Sequence, residues 1–235
     1  MPVISDLRVE VTTEDVAHAW GPKRARLASP RMLARVSELL HHVETEHWLH
    51  PRMSFGFRPV AQISPEGIEF PDGSHMYAPL ASAYFRGATH VGVGVSTLGD
   101  TLESQVAGLW ESSDRLRGVL LDEIGTLALY RLSDRLEEKI QEEAARQGLE
   151  MSGVLNPGDD GFDLRAHELV LEISEGASIG VSVTSLGMLR PTKSISLVAG
   201  LGVNMPKWNR AERCEHCKMR ERCPYRETLA TKAAT

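Results

Sequence analysis

The sequence predicts an α+β fold in which strands read as antiparallel and helices do not alternate strictly with them. Two segments carry that prediction. From Asp114 to Gln147, residues Leu120, Ile124, Ala128, Leu132, Leu136, Ile140 and Ala144 recur at every fourth position, the stripe of one long helix with a buried face. THVGVGVSTLGD, residues 89–100, reads instead as a buried strand closed by a turn.

Residues 1–28 read as a peripheral segment, with an edge strand over Leu7–Val11 and a basic break at GPKRAR. A helix is predicted from Pro30 to about His47, because Leu33, Val36, Leu39, Leu40 and Val43 share helical spacing. RPVAQISPEGIEF, residues 58–70, suits a strand, a turn at Ser64–Gly67 and a second strand. A further helix is expected over Tyr77–Arg86. Asp100 is placed to cap the helix after the 89–100 strand, with Glu103 as the other half of a capping box. Gly148 is a natural stop for the long helix. Ile179–Val183 and Ser194–Val198 complete the strands, joined by SLGMLRPTK. One α+β domain over 29–205 is expected, then a cysteine segment, 206–226, packed on it and a disordered tail, 227–235.

VGVGVSTLGD (91–100) and IGVSVTSLGM (179–188) agree at five of ten positions, which marks both as core and allows two central strands of one sheet.

Composition narrows the function. The 235 residues are 42% hydrophobic, enough for a sizeable core, and the net charge of −6 argues against nucleic acid or an anionic membrane as partner. No apolar run approaches the roughly 20 residues that span a bilayer. MPVISDLRVE lacks the charged-then-apolar pattern of a signal peptide, and three clustered cysteines make no disulfide framework. A soluble cytoplasmic protein is expected.

Three segments are candidates for chemistry. Gly92, Gly94 and Gly99 have the wrong spacing for a dinucleotide fingerprint and no lysine for a phosphate loop, so they read as packing and turn glycines. HHVETEHWLH, residues 41–50, holds four histidines but neither HExxH nor His–x3–His, and a polar helix end explains it as well as a metal. The tail is stronger. Cys214, Cys217 and Cys223 are all the cysteines of the chain, and Cys214-Glu-His-Cys217 turns two thiolates toward one metal. Cys223 is followed by Pro224, as in many iron–sulfur segments. An iron–sulfur cluster, 4Fe–4S in kind, is favoured over structural zinc because the paired halves of a zinc module are absent. His216 lies inside the first chelate loop and is a poor fourth ligand.

TLGDTLESQ, LDEIGTLALYRLSDRLEEKI, NPGDDGFDL and IGVSVTSLGMLRPTKSIS, together with the closing CxxCx5CxYR, resemble the activation (reactivation) domain of cobalamin-dependent methionine synthase. The resemblance is closest to stand-alone versions found beside corrinoid methyltransfer proteins and covers about residues 75–226. It implies a twisted, mainly antiparallel sheet with flanking helices. It also implies docking over a corrinoid on a partner, a corrinoid protein or methyltransferase, and reductive return of cob(II)alamin to cob(I)alamin, with a ferredoxin or flavoprotein as electron source. Pro157, Gly158, Gly187, Met188, Pro191 and Ser194 would line the corrinoid-facing surface. Full synthases carry RxxPGY at the turn, where arginine and tyrosine help hold S-adenosylmethionine. Here those positions are Val154 and Asp159, which argues against that ligand. Some relatives have a turn cysteine where this chain has Asp160, making Asp160 the candidate fourth metal ligand, with Asp159, water or a partner's ligand as alternatives. The non-redox readings are a corrinoid-docking module stapled by zinc, and an S-adenosylmethionine-binding reactivation domain.

Overall fold

The computed structural model describes residues 3–5, 7–21, 29–159, 161–208, 212 and 221. A five-stranded antiparallel sheet forms its centre, in the order β1 (Val3–Ile4), β2 (Arg52–Pro59), β6 (Ala88–Thr97), β10 (Ser194–Gly202), β7 (Glu150–Leu155). A small three-stranded sheet of β3 (Gln62–Ser64), β4 (Gly67–Glu69) and β5 (His75–Met76) follows β2, and β8 (Ser182–Val183) pairs with β9 (Leu189–Arg190). The helices are α1 (Thr13–Ala19), α2 (Pro30–Thr45), α3 (Ala81–Tyr84), α4 (Thr101–Glu111), α5 (Arg115–Arg146) and α6 (Ala166–Ser174). The fold is α+β, as the sequence predicts.

The period-2 alternation of β2, β6 and β10 sends side chains to two different cores. Met53, Phe55, Leu197, Ala199 and Leu201 face the second half of α5, where Leu132, Leu136, Ile140 and Ala144 are buried. Gly92 and Gly94 lie under that helix. A Cβ on Gly94 would sit 2.9 Å from the methyls of Leu136 and Ile140, so these glycines let the helix approach the sheet. Val91, Val93 and Val198 point the other way, onto Val170 and Ile173 of α6 and the Phe70, Phe85 and Phe162 rings. The first half of α5 leaves the sheet and packs Leu120, Leu121 and Ile124 among α1, α2 and α4, with Val16, Trp20, Val36 and Leu39.

Asp114 caps α5 by accepting from Arg117 N, and Gly148, at φ +72°, ends the turn after it. α2 begins at Pro30 as predicted, capped by Ser29, and stops at Thr45.

Several segments differ from expectation for local reasons. Residues 7–11 are not a strand. Their carbonyls at Arg8 and Glu10 accept from the guanidinium groups of Arg135 and Arg131 on α5, and the strand falls earlier, at Val3–Ile4. The expected helix over Tyr77–Arg86 is one turn, Ala81–Tyr84. Asp100 stands at the α4 N-cap without a side-chain cap bond; Glu103 instead accepts from Thr192 N at 2.6 Å, so no capping box forms. Gly176–Ile179 is a 3-10 turn bounded by left-handed Glu175 and Gly180, leaving only Ser182–Val183 of the strand predicted at Ile179–Val183. Residues 91–100 and 179–188 are therefore not two central strands; the neighbours of β6 are β2 and β10.

Candidate functional site

The turn after β7 is held by its own backbone. Asn156 N donates to Asp159 Oδ2 at 2.8 Å, Asp159 N to Asn156 O at 2.9 Å, and Gly158 N to Phe162 O at 2.8 Å. Asn156 Nδ2 donates to Ser196 O and ties the turn to β10. Pro157 is buried, and Gly158 takes φ +98°, a conformation glycine adopts without penalty. Phe162 anchors the far side in the core, 3% exposed.

The loop between β8 and β9 is tied in the same manner. Thr184 N donates to Met188 O at 2.8 Å, Gly187 N to Thr184 O at 2.9 Å, and Met188 N to Thr184 Oγ1 at 3.1 Å. Gly187 has φ +79°.

Leu164 brings these two turns together. A Cβ on Gly158 would meet its Cδ2 at 3.1 Å, and one on Gly187 would meet its Cβ at 3.0 Å. Beneath them His167 Nδ1–H donates to Gly187 O at 2.6 Å. Burial pushes the His167 pKa below its ordinary 6.5, against the opposing effect of its backbone hydrogen bonds to Gly187 and Leu164. The ring is therefore neutral at pH 7 and locks the loop from below.

Around this seam the surface is apolar: Leu186 is 81% exposed and Met188 54%, while Tyr77, whose carbonyl accepts from Asp163 N, is 50% exposed. The charged edge is Asp163, held at about pKa 2 by the Arg165 guanidinium and backbone N–H that it accepts from. Leu164, His167, Tyr77 and Leu186 were not singled out from sequence. The signal for the last was Leu186-Gly187-Met188 itself, two large apolar residues flanking a glycine in a loop.

Pro191 follows a cis peptide bond from Arg190. Ser194 Oγ donates to Thr97 Oγ1 at 2.9 Å and stands two residues along β10 from Ser196, the residue that holds Asn156. Before it in the chain Lys193, 8% exposed, reaches Asp122 Oδ1 at 2.8 Å and Thr126 Oγ1 at 2.9 Å on α5. The predicted surface residues thus share one end of the sheet.

Val154 and Asp159, the two turn positions compared with RxxPGY in the sequence, make contacts within the fold. Val154 is buried among the apolar residues facing α5, and the Asp159 carboxylate is turned onto Asn156 N.

Cys214, Cys217, Cys223 and Asp160, predicted to hold a metal, lie outside the described residues. Among the described residues no three His, Cys, Asp or Glu side chains gather as a metal site. In the 41–50 segment His42 Nδ1 lies 2.8 Å from Glu46 Oε1, and its ring stacks on Trp48. The chain leading to the cysteines is described as far as Trp208. Pro206 O accepts from Gly153 N at 3.3 Å, and the Trp208 ring lies over Gly153 and against Tyr84, with centroids 4.8 Å apart. A Cβ at Gly153 would come within 2.4 Å of that ring.

The chain resembles a crystal structure of the MetH reactivation domain bound to AdoHcy. The TM-score is 0.58 at 15% sequence identity, covering 100% of this chain and 90% of that one. The protein thus has a fold of the reactivation-domain type. No protein-family model and no curated protein matches the sequence. Among the described residues no helix is long and apolar enough to cross a membrane.

Proposed function

We propose that this protein is an accessory component of corrinoid-dependent methyl transfer that assists reductive return of cob(II)alamin to cob(I)alamin on a partner. The observation that carries the reading is the seam around Leu164, where two tied turns meet, Leu186 and Met188 face solvent from one of them, and exposed Tyr77 lies beside Asp163. A corrinoid face is broad and largely apolar, and such a surface can cover it and exclude water. The likeness to the MetH reactivation domain along the whole chain supports the same reading.

The donor chemistry of the tail fits a cluster. Three thiolates in Cx2Cx5CP match iron–sulfur ligation, with Asp160 as the candidate fourth ligand. When bound, such a cluster supplies one low-potential electron, and a ferredoxin or flavoprotein is the class of donor that restores it. The position of Trp208 supports delivery of the tail to the turn. It lies over Gly153, three residues before Asn156, and the six residue steps from Trp208 to Cys214 reach at most about 20 Å. The protein's own part is to hold the turn, shield the corrinoid face and bring the cysteines near it.

AdoHcy, the molecule bound in the MetH structure, is not expected as a ligand here. Val154 cannot give the paired hydrogen bonds of an arginine, and Asp159 already serves the turn. Calorimetric titration with S-adenosylmethionine or its homocysteine product is expected to show no micromolar binding.

Metal analysis after anaerobic reconstitution of the full chain tests the redox part. About four iron and four sulfide per chain are expected for a cubane cluster. Stoichiometric zinc without sulfide would overturn it and leave a corrinoid-docking module with a structural metal.

A further inference from the structure

We infer that Arg52 forms a binding site for a carboxylate, at the point where β2 meets the Gly176–Ile179 turn. Arg52 Nε is buried and, like Arg117 Nε, has no hydrogen-bond partner among the described residues. No ion pair forms at its guanidinium among the described residues, whereas the similarly half-buried Arg58, Arg117 and Arg131 each face a carboxylate. Leaving a charged donor shielded from water without an acceptor is unfavourable unless something else supplies one.

The surroundings say what that is. Gly180 lies over the guanidinium: a Cβ there would stand 3.5 Å from Nη2, 3.6 Å from Nη1 and 3.8 Å from Cζ. Gly180 and Ser182 are exposed, so the group is reached from that side. Ser54, two residues along β2 on the same face, is 0% exposed, and its Oγ also lacks a partner among the described residues. Thr97 stands opposite Arg52 across the β2–β6 ladder, but its hydroxyl already accepts from Gly99 N and Ser194 Oγ. The guanidinium and the hydroxyl therefore share one sheet face; Gly180 puts no side chain over Arg52, whereas Ile179 and Val181 pack on Val95, the residue opposite Ser54, so Arg52 is the group a ligand reaches.

A single guanidinium matches the single charge of a carboxylate. Its Nε–H and one Nη–H are parallel and fit the two oxygens of that group. Lys193, at the start of β10, reaches across to α5 and is already paired with Asp122 there, so it adds no charge to this site. The ligand class is thus a small carboxylic acid or a carboxylate on a larger molecule. This site does not depend on the corrinoid reading.

Thermal unfolding of the full chain in sodium acetate, against sodium chloride and sodium phosphate at equal ionic strength, tests it. Acetate should raise the midpoint saturably by roughly 2–4 °C over chloride. Arg52→Met should lose that shift while unfolding in chloride no earlier than wild type, because it removes an unpaired buried charge. Arg52→Lys, which keeps the charge without the fork, should show less than half of it, and it carries the test if the methionine variant does not fold. An acetate shift equal to chloride, or one that survives in both variants, would overturn the site. A shift with phosphate alone would overturn the assignment to carboxylates.

Discussion

Residues 91–100 and 179–188 are close to each other in sequence and far apart in structure. The first is dominated by a central strand, β6, with β2 on one side, β10 on the other and α5 across its glycines. The second is the end of a 3-10 turn, two strand residues and a loop with Leu186 almost bare. The difference lies in their partners. Gly92 and Gly94 each let a helix close down, so the absent side chains are replaced by Leu136 and Ile140. Gly180 and Gly187 instead take positive φ and turn the chain outward, and Leu186 and Met188 are left facing solvent. One segment buries its pattern in the core and the other presents it.

The core side should respond most strongly to substitution. Leu136→Ala removes a fully buried side chain from the α5 face and should cost about 2–5 kcal/mol in urea unfolding. A cost under about 1 kcal/mol would mean that α5 does not seal β6 as described. Gly94→Val inserts branches where even a Cβ is 2.9 Å from two methyls and should cost about 1–3 kcal/mol by overpacking. Gly187→Ala meets both a positive φ and Leu164 at 3.0 Å, and about 1–2 kcal/mol is expected. In that variant, corrinoid binding should fall by more than the loss of stability explains.

His167 gives the loop region a pH signature. Its folded pKa lies below the ordinary value, so its contribution to stability is complete above pH 6.5 and declines as pH falls below it, when the unfolded state takes up the proton first. Wild type should lose more stability than His167→Gln between about pH 7.5 and 5.5. Equal slopes for the two would contradict a neutral buried ring. The smallest effect on stability belongs to Leu186→Ser, within about 0.5 kcal/mol at a residue 81% exposed. The same variant should weaken cob(II)alamin binding several-fold, since it removes the most exposed apolar side chain of the seam.

The same physics decides which elements the sequence reveals. The α5 stripe and the β6 strand are readable because each keeps one regular pattern over a long run, 32 residues in α5 and ten in β6. α6 escapes the sequence reading although Ala166, Val170 and Ile173 share helical spacing, because the helix is nine residues long and stands behind a turn. β7 escapes it because EMSGVL carries a glycine that exists to admit Trp208, a contact separated from it by more than fifty residues. Ile179–Val183 looks like a strand by its β-branched residues, but left-handed Glu175 and Gly180 bound a 3-10 turn that takes Ile179, and only Ser182–Val183 pairs as strand. In the candidate site, the two glycine turns are visible as turns. That Leu164 joins them is not, since nothing local in DLRAHE announces a residue clamped between two distant loops.

In the proposed function, this surface and its cysteine tail return cobalt to its lowest state together. Anaerobic protein carrying a reduced cluster, freed of reductant, should be mixed with cob(II)alamin and methyl iodide, which traps cob(I)alamin as methylcobalamin. Loss of the cob(II)alamin paramagnetic signal with formation of about one methylcobalamin per cluster is the predicted result, since each cluster gives one electron. A reduced cluster that persists beside an undiminished cob(II)alamin signal would contradict it.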